Sequence, residues 1–257
     1  MKTPGIDLSI IIPAYMEGTL IAEALGELAD FLASRDYGEV EVLVVVADST
    51  DGTAKIASSQ ANRFAHFRLV NAGPRVGKGR DVRLGMFEAA GRYRLFMDAD
   101  LATPLHHLDE VKAFMDRDGK VAIAVRDLFV IHKGLARKVM SKSANIAAQV
   151  LVVPGIKDTQ CGFKVFEAEA AEQIFSRMTM LQWSFDMEIL AIARRLHYPV
   201  EFIETPDWKD PKTGATGLVG DSLLKVVLNG FMDPFKVRYG LWTGRYTKPS
   251  YVHKPMY

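Results

Sequence analysis

Cysteine is almost absent from this chain, with Cys161 the only example. One thiol excludes an internal disulfide and fits a reducing compartment. A dominant charge is missing too, because 32 lysines and arginines stand against 31 aspartates and glutamates. The net charge of +1 excludes a nucleic-acid binder that relies on overall basicity, and no nucleic-acid partner is expected. No run reaches the roughly 18 apolar residues of a spanning helix. Met1 to Asp7 lack the apolar stretch and cleavage site of a secretory leader. The six histidines show no metal-ligand spacing, and His106 and His107 read as exposed first-turn residues. The expectation is a cytoplasmic protein with room for peripheral contact at the cytoplasmic face of a membrane.

What is present is an ordinary globular composition, 49% apolar and 25% charged, over 257 residues. That length suits one large α/β domain. Apolar runs at 8–12, 41–46, 67–70, 92–97 and 121–125 read as buried strands. Helical periodicity fills the gaps at 21–32, 55–61, 80–90 and 105–115. Strands alternating with helices imply a mostly parallel sheet covered on both faces. The second half is less regular, with helices expected at 133–153, 168–175, 185–196 and 221–232 and a late strand at 200–204. The basic and apolar stretch 133–153 and the amphipathic one at 218–232 are candidate membrane-surface segments.

Asp98-Ala99-Asp100 closes the fourth strand. Residues two apart on a strand project to one side, so both carboxylates leave the sheet together at its carboxyl end, where such sheets bind ligands. Hard oxygen donors in that position suit Mg²⁺ or Mn²⁺ carrying a diphosphate. Lys78 lies in a basic, glycine-rich loop, Gly73 to Arg80, which opens a helix and suits phosphate. The loop has neither the spacing of a P-loop nor that of a dinucleotide fingerprint. Asp48 follows the second strand as a candidate acceptor for a nucleotide base, and Arg126 follows the fifth as a candidate diphosphate clamp. Asp158 to Lys164 is polar between apolar flanks, and Trp183 to Glu188 offers Asp186 and Glu188 ahead of a helix, where capping is the simpler reading. Cys161 reads as a structural thiol.

In order, Ser9 to Glu17, Val45 to Thr53, Gly77-Lys78-Gly79 and Asp98-Ala99-Asp100 resemble a family 2 glycosyltransferase of the GT-A fold. Ile156 to Lys164 with Trp183 to Glu188 resembles the dolichyl-phosphate β-glucosyltransferase branch, kin of the dolichyl-phosphate mannose synthases. The resemblance runs from about residue 8 to about residue 246. It implies a single GT-A domain over 1–257, Rossmann-like, with a mostly parallel sheet, flanking helices and C-terminal amphipathic helices. A nucleotide-sugar half would span about 1–127 and an acceptor half about 128–257.

Position by position, the resemblance implies nucleoside contacts at Pro13, Tyr15 and Glu17 and base recognition by Asp48. It implies a donor loop at Gly77 and Lys78, nucleotide and metal binding at Asp98, Ala99 and Asp100, and catalytic roles for Arg126, Asp158 and Asp186, with Gln160 beside them. It further implies an inverting transfer of a hexose from a nucleotide diphosphosugar to a polyprenyl (dolichyl-type) phosphate, with Mg²⁺ or Mn²⁺ as cofactor. UDP-glucose is the favoured donor and GDP-mannose the next. A saccharide or soluble hydroxyl acceptor, a sugar-phosphate nucleotidyltransferase and a non-catalytic sugar-nucleotide binder are the alternatives. Three positions depart from the pattern: Ala47 replaces an acid, Met16 replaces an asparagine, and Trp208 to Thr216 differs from the usual acceptor-side loop.

Overall fold

The computed structural model describes residues 5–126, 151–156, 158–209 and 223–253. Seven strands form one sheet: β1 (Leu8–Ala14), β2 (Val40–Ala47), β3 (His66–Gly73), β4 (Tyr93–Met97), β5 (Val121–Arg126), β6 (Phe163–Glu167) and β7 (Val200–Thr205). Their spatial order is β3-β2-β1-β4-β6-β5-β7. Every pairing is parallel except those of β6, which runs against both β4 and β5.

The helices are α1 (Ile21–Ala33), α2 (Thr53–Ser59), α3 (Lys78–Glu88), α4 (Leu108–Asp116), α5 (Ala168–Phe175), α6 (Phe185–Arg195) and α7 (Leu223–Trp242). They bury both faces of the sheet. Along β1, Leu8, Ile10 and Ile12 enter one core with Leu25 and Leu28 of α1 and Phe114 of α4. Ile11 enters the other, with Val82 and Met86 of α3, Ile174 of α5 and Ile189 of α6. A period of two across a doubly covered sheet is why the strands read as continuous apolar runs.

Three expectations need amendment. A strand at 163–167 was not anticipated, and Pro234 lies inside α7, which continues ten residues past its expected end at 232. His107 is buried, at 3% exposure, in the 3₁₀ turn Leu105–His107 that precedes α4. The expected helix at 133–153 lies outside the described residues apart from its last three positions, of which Val152 and Val153 are in the core.

This topology fixes where a ligand can sit. The chain leaves β1 toward β2 on one side, and β4 pairs with β1 on the other. Loops after β1 and β4 therefore diverge at the carboxyl edge, which is the switch point where open α/β sheets bind ligands. Because β6 is antiparallel and opens at Phe163 opposite Met97, the segment 158–162 arrives at that same edge.

Candidate active site

The loops after β1 and β4 carry three crowded carboxylates, Glu17, Asp98 and Asp100. Met97 ends β4, so Asp98 and Asp100 sit in a turn rather than on the strand. The turn is shaped by Leu101 at φ 51 and by Oδ1 of Asp100, which accepts the Ala102 N–H at 3.0 Å. The Asp98 N–H donates to the Gly162 carbonyl at 3.1 Å. Burial, then the neighbouring Asp98, pushes the Asp100 carboxyl above the usual range. Glu17 is raised to about 7 by burial first and by Asp100, Asp98 and Asp51 next. Its Oε2 is buried without a partner.

The β1–α1 loop that presents Glu17 is pinned by its neighbour after β2. The N–H groups of Met16, Glu17 and Gly18 donate to Ser49 Oγ, Thr53 Oγ1 and Asp51 Oδ2 at 3.1, 3.0 and 2.7 Å. Asp51 also accepts the Thr53 N–H, as a turn aspartate does. Asp48 itself stands exposed beside this loop, with its N–H on the Gly73 carbonyl. Tyr15 lies under the Arg75 guanidinium at 4.3 Å. Pro13 is the penultimate residue of β1.

Lys78 opens α3 and places Nζ 2.5 Å from Asp98 Oδ1. Burial opposes its charge, but Asp98, Asp186 and Asp100 outweigh burial and raise its pKa. Its loop is seated against the chain at 179–185. A β-carbon on Gly77 would fall 2.5 Å from the Leu181 carbonyl, and Arg80 N–H donates to that carbonyl at 3.0 Å. The Trp183 ring lies 5.6 Å from Lys78 Nζ. Fully buried Glu188 shapes this second loop, accepting from Thr179 N–H, Thr179 Oγ1 and Met180 N–H at 2.9, 2.6 and 2.7 Å.

On the far side of Asp98, Arg126 closes β5 and forks onto Asp158, with Nε and Nη2 at 2.6 and 2.9 Å from its two oxygens. Asp158 also accepts the N–H groups of Arg126 and Gln160. Burial would raise the Asp158 carboxyl, but the guanidinium beside it holds it below the usual range. The Arg126 guanidinium lies 5.0 Å over the Trp208 ring. Gln160 is exposed. Asp186, in the first turn of α6, is buried and bonded to the ammonium of Lys164 in β6. Lys164 also donates to the Cys161 carbonyl at 2.6 Å. Burial keeps the Asp186 carboxyl raised, against the pull of Lys164 and Lys78. The Cys161 thiol is buried and pushed up to about 11, chiefly by burial.

A cavity of about 380 Å³ adjoins this centre, lined by Met180, Gln182, Ser184, Lys236, Tyr239 and Arg245 among others. Asp233 of α7 accepts from Ser184 Oγ and, at 2.7 Å, from Lys236 Nζ. His106 and His107 both reach Asp207, at 3.2 and 2.7 Å, tying the turn before α4 to the end of β7.

The fold thus gathers Glu17, Lys78, Asp98, Asp100, Arg126, Asp158 and Asp186 at one rim. The sequence motifs contain Lys164, Trp183, Trp208 and Glu188 but assign none of them a role of its own, which the structure supplies. Lys164 gave one usable signal, a lone cation between Phe163 and Val165, since a charge in an apolar strand needs a buried counter-ion.

Comparison with known proteins identifies the family. The model for glycosyl transferase family 2 matches residues 9–175. The chain belongs to glycosyl transferase family 2. Dolichyl-phosphate beta-glucosyltransferase ALG5D of Trichomonas vaginalis is 31% identical, covering 94% of this chain and 77% of that protein. The dolichyl-phosphate beta-glucosyltransferase of Dictyostelium discoideum is 32% identical over 76% of this chain and 64% of its own length. That of Saccharomyces cerevisiae is 29% identical over 85% and 71%. Among solved structures, glucosyl-3-phosphoglycerate synthase from Mycobacterium tuberculosis, in complex with Mn²⁺, UDP and phosphoglyceric acid, superposes with a TM-score of 0.64. It shares 16% identity and covers 96% of this chain and 80% of that one. Mannosyl-3-phosphoglycerate synthase from Rubrobacter xylanophilus gives 0.65 at 15% identity, over 93% and 76%. These two likenesses establish the fold. No helix among the described residues is long and apolar enough to cross a membrane.

Proposed function

We propose that this family 2 glycosyltransferase moves glucose from UDP-glucose to a polyprenyl phosphate of the dolichyl type, inverting the anomeric centre. The carrying observation is the carboxylate trio at the sheet's switch point, with Glu17 Oε2 buried and unpartnered and Lys78 beside it. Its relatives of about 30% identity supply the sugar and the acceptor class. A hard divalent cation fits the trio, since three carboxylates repel one another unless a cation offsets them. Asp98 and Asp100, with Glu17 beside them, would hold Mg²⁺ or Mn²⁺, and the ion would supply charge neutralisation for the departing diphosphate.

The chain's own residues do the rest. Lys78 and Arg126 stabilise the developing charge, Tyr15, Pro13 and Asp48 hold the nucleoside, and the glycine at 77 lets the donor loop close on 181. A phosphomonoester is mostly ionised at neutral pH, its second pKa being about 6. Its oxygen therefore attacks the anomeric carbon without a base, as the bond to the diphosphate breaks. Asp158 and Asp186 are each committed to an ion pair, with Arg126 and Lys164, which suits an acceptor that has no proton to give up. Asp158 then positions Arg126, with Gln160 beside it, and Asp186 positions Lys164 and adds to the field around Lys78. Lys236 and Arg245 at the adjoining cavity would orient the acceptor phosphate. In this reading residues 1–127 form the donor half and 128–257 the acceptor half of one catalytic domain, working peripherally at the cytoplasmic face of a membrane.

The test is a panel of UDP- and GDP-sugars with Mn²⁺, with and without polyprenyl phosphate. UDP-glucose should give a lipid-linked glucose only when both are present. GDP-mannose outcompeting UDP-glucose, or transfer to a hydroxyl acceptor alone, would overturn the assignment.

A further inference from the structure

We propose that the C-terminal half of α7 docks on an anionic lipid surface through Met232, Phe235, Tyr239 and Trp242. The inference deepens the acceptor reading above by naming the surface that brings the cavity to the lipid. Spacings of three, four and three residues put these side chains on one helical face. They are 53, 56, 54 and 82% exposed, the densest group of large exposed apolar residues among those described. The opposite face is already occupied. Val237 is in the core, Asp233 holds Ser184 and Lys236, and Gly240 lies so close under Tyr246 that a β-carbon there would fall 2.8 Å from its hydroxyl. The outward stripe therefore belongs to a packed helix, not to one awaiting a place in the fold.

Charge selects the occupant. Lys236, Arg238, Arg245 and Lys248 are exposed around the stripe, while Asp233, the only acid between 232 and 248, is turned inward. Two copies of this face would bring like charges together, which disfavours a self-dimer. An anionic bilayer satisfies both features. Tyrosine and tryptophan favour the headgroup level, and lysine and arginine stems extend toward the phosphates. The face begins where the expected membrane segment at 218–232 ends. Residues 210–222 and 127–150 lie outside the described residues. Through Asp233 and Ser184, docking would set the mouth of the cavity beside the headgroups.

Vesicle co-sedimentation of the full chain tests the proposal, using phosphatidylcholine alone and phosphatidylcholine with 30% phosphatidylserine (about one anionic lipid in three). The expected result is binding to the anionic vesicles only. Trp242→Glu and Phe235→Glu should each weaken it at least about 10-fold, and Arg238→Gln about fivefold. All three should keep wild-type turnover in detergent micelles, since none lines the cavity. Trp242→Phe should still bind but lose the tryptophan quenching by brominated lipid, which guards against misfolding in the charged variants. Equal binding to neutral vesicles, no effect of the glutamate variants, or a dimer in light scattering that Trp242→Glu dissolves would overturn the proposal. Vesicle binding without lipid-linked product would instead sink the transferase reading and leave the docking surface standing.

Discussion

A β-carbon at Gly162 would fall 1.9 Å from Oδ2 of Asp98. The glycine lies one residue before β6, and its carbonyl also accepts the Asp98 N–H. Glycine is required here for space, since its φ is not among the positive ones. Gly162→Ala should displace the Asp98 carboxylate from Lys78. A misplaced group at a reacting centre costs about 100-fold in rate. The expected outcome is a drop of that order in kcat with weaker Mn²⁺ binding, measured by transfer assay and calorimetry. Wild-type Mn²⁺ affinity in the variant would show that Asp98 has room to relax.

Asp100→Asn removes one carboxylate of the trio while keeping its bond from Ala102. We expect turnover to fall by about 100-fold or more, as for other losses of transition-state charge stabilisation. Added Mn²⁺ should no longer raise the melting temperature. Unchanged turnover would refute the metal assignment.

Glu17 makes the metal-free protein sensitive to pH. Its folded pKa of about 7 lies above the ordinary value of 4.5. Stability from this group is therefore full below pH 4.5 and is lost as pH rises through 7. Ionised Glu17 is the form that attracts a cation, so Mn²⁺ affinity should strengthen across the same interval. Glu17→Gln should flatten both curves, read by thermal melts and Mn²⁺ titrations at pH 5, 6, 7 and 8 (steps of about one unit around the shifted pKa). A wild-type curve without this slope would place Glu17 outside the metal cluster.

Asp158→Asn leaves the Arg126 guanidinium without its fork. If Asp158 acts only by positioning Arg126, Asp158→Asn and Arg126→Gln should not add. Each should lower kcat more than it raises the donor KM, as loss of transition-state charge stabilisation does, and the acid limb of the pH–rate profile should not move. Additive losses, or a shifted acid limb, would make Asp158 a proton acceptor rather than a positioning residue.

Asp186→Asn strands the buried Lys164 ammonium. Removing one partner of a buried pair typically costs about 3–5 kcal/mol. Denaturant melts should show a loss of that size, and the double variant Lys164→Met, Asp186→Leu should recover part of it. Transfer activity of the folded double variant then reads whether Asp186 has any part in chemistry.

Much of this arrangement can be read from the chain, and the exceptions have physical causes. β1, β2, β4 and β5 are covered on both faces, so their composition alone declares them. β6 does not, because Phe163-Lys164-Val165-Phe166-Glu167 breaks its apolar run with a lysine that is buried against Asp186. Asp98 and Asp100 were legible as a pair, yet the strand geometry expected to align them ends at Met97, and a left-handed Leu101 does that work. Pro234 signals a helix end, but α7 runs through it, anchored on both sides by Asp233 and Val237. His107 looked like a surface residue because nothing nearby in sequence reveals Asp207, one hundred positions away.

The reversed direction of β6 carries a consequence for divergence. Arg126 ends β5 and Phe163 begins β6 at the same margin of the sheet, so the two ends of the connection between them are fixed beside Asp98. Under the proposed reaction, changes in the length or composition of 127–162 should alter acceptor choice while leaving every hydrogen-bonded strand register intact.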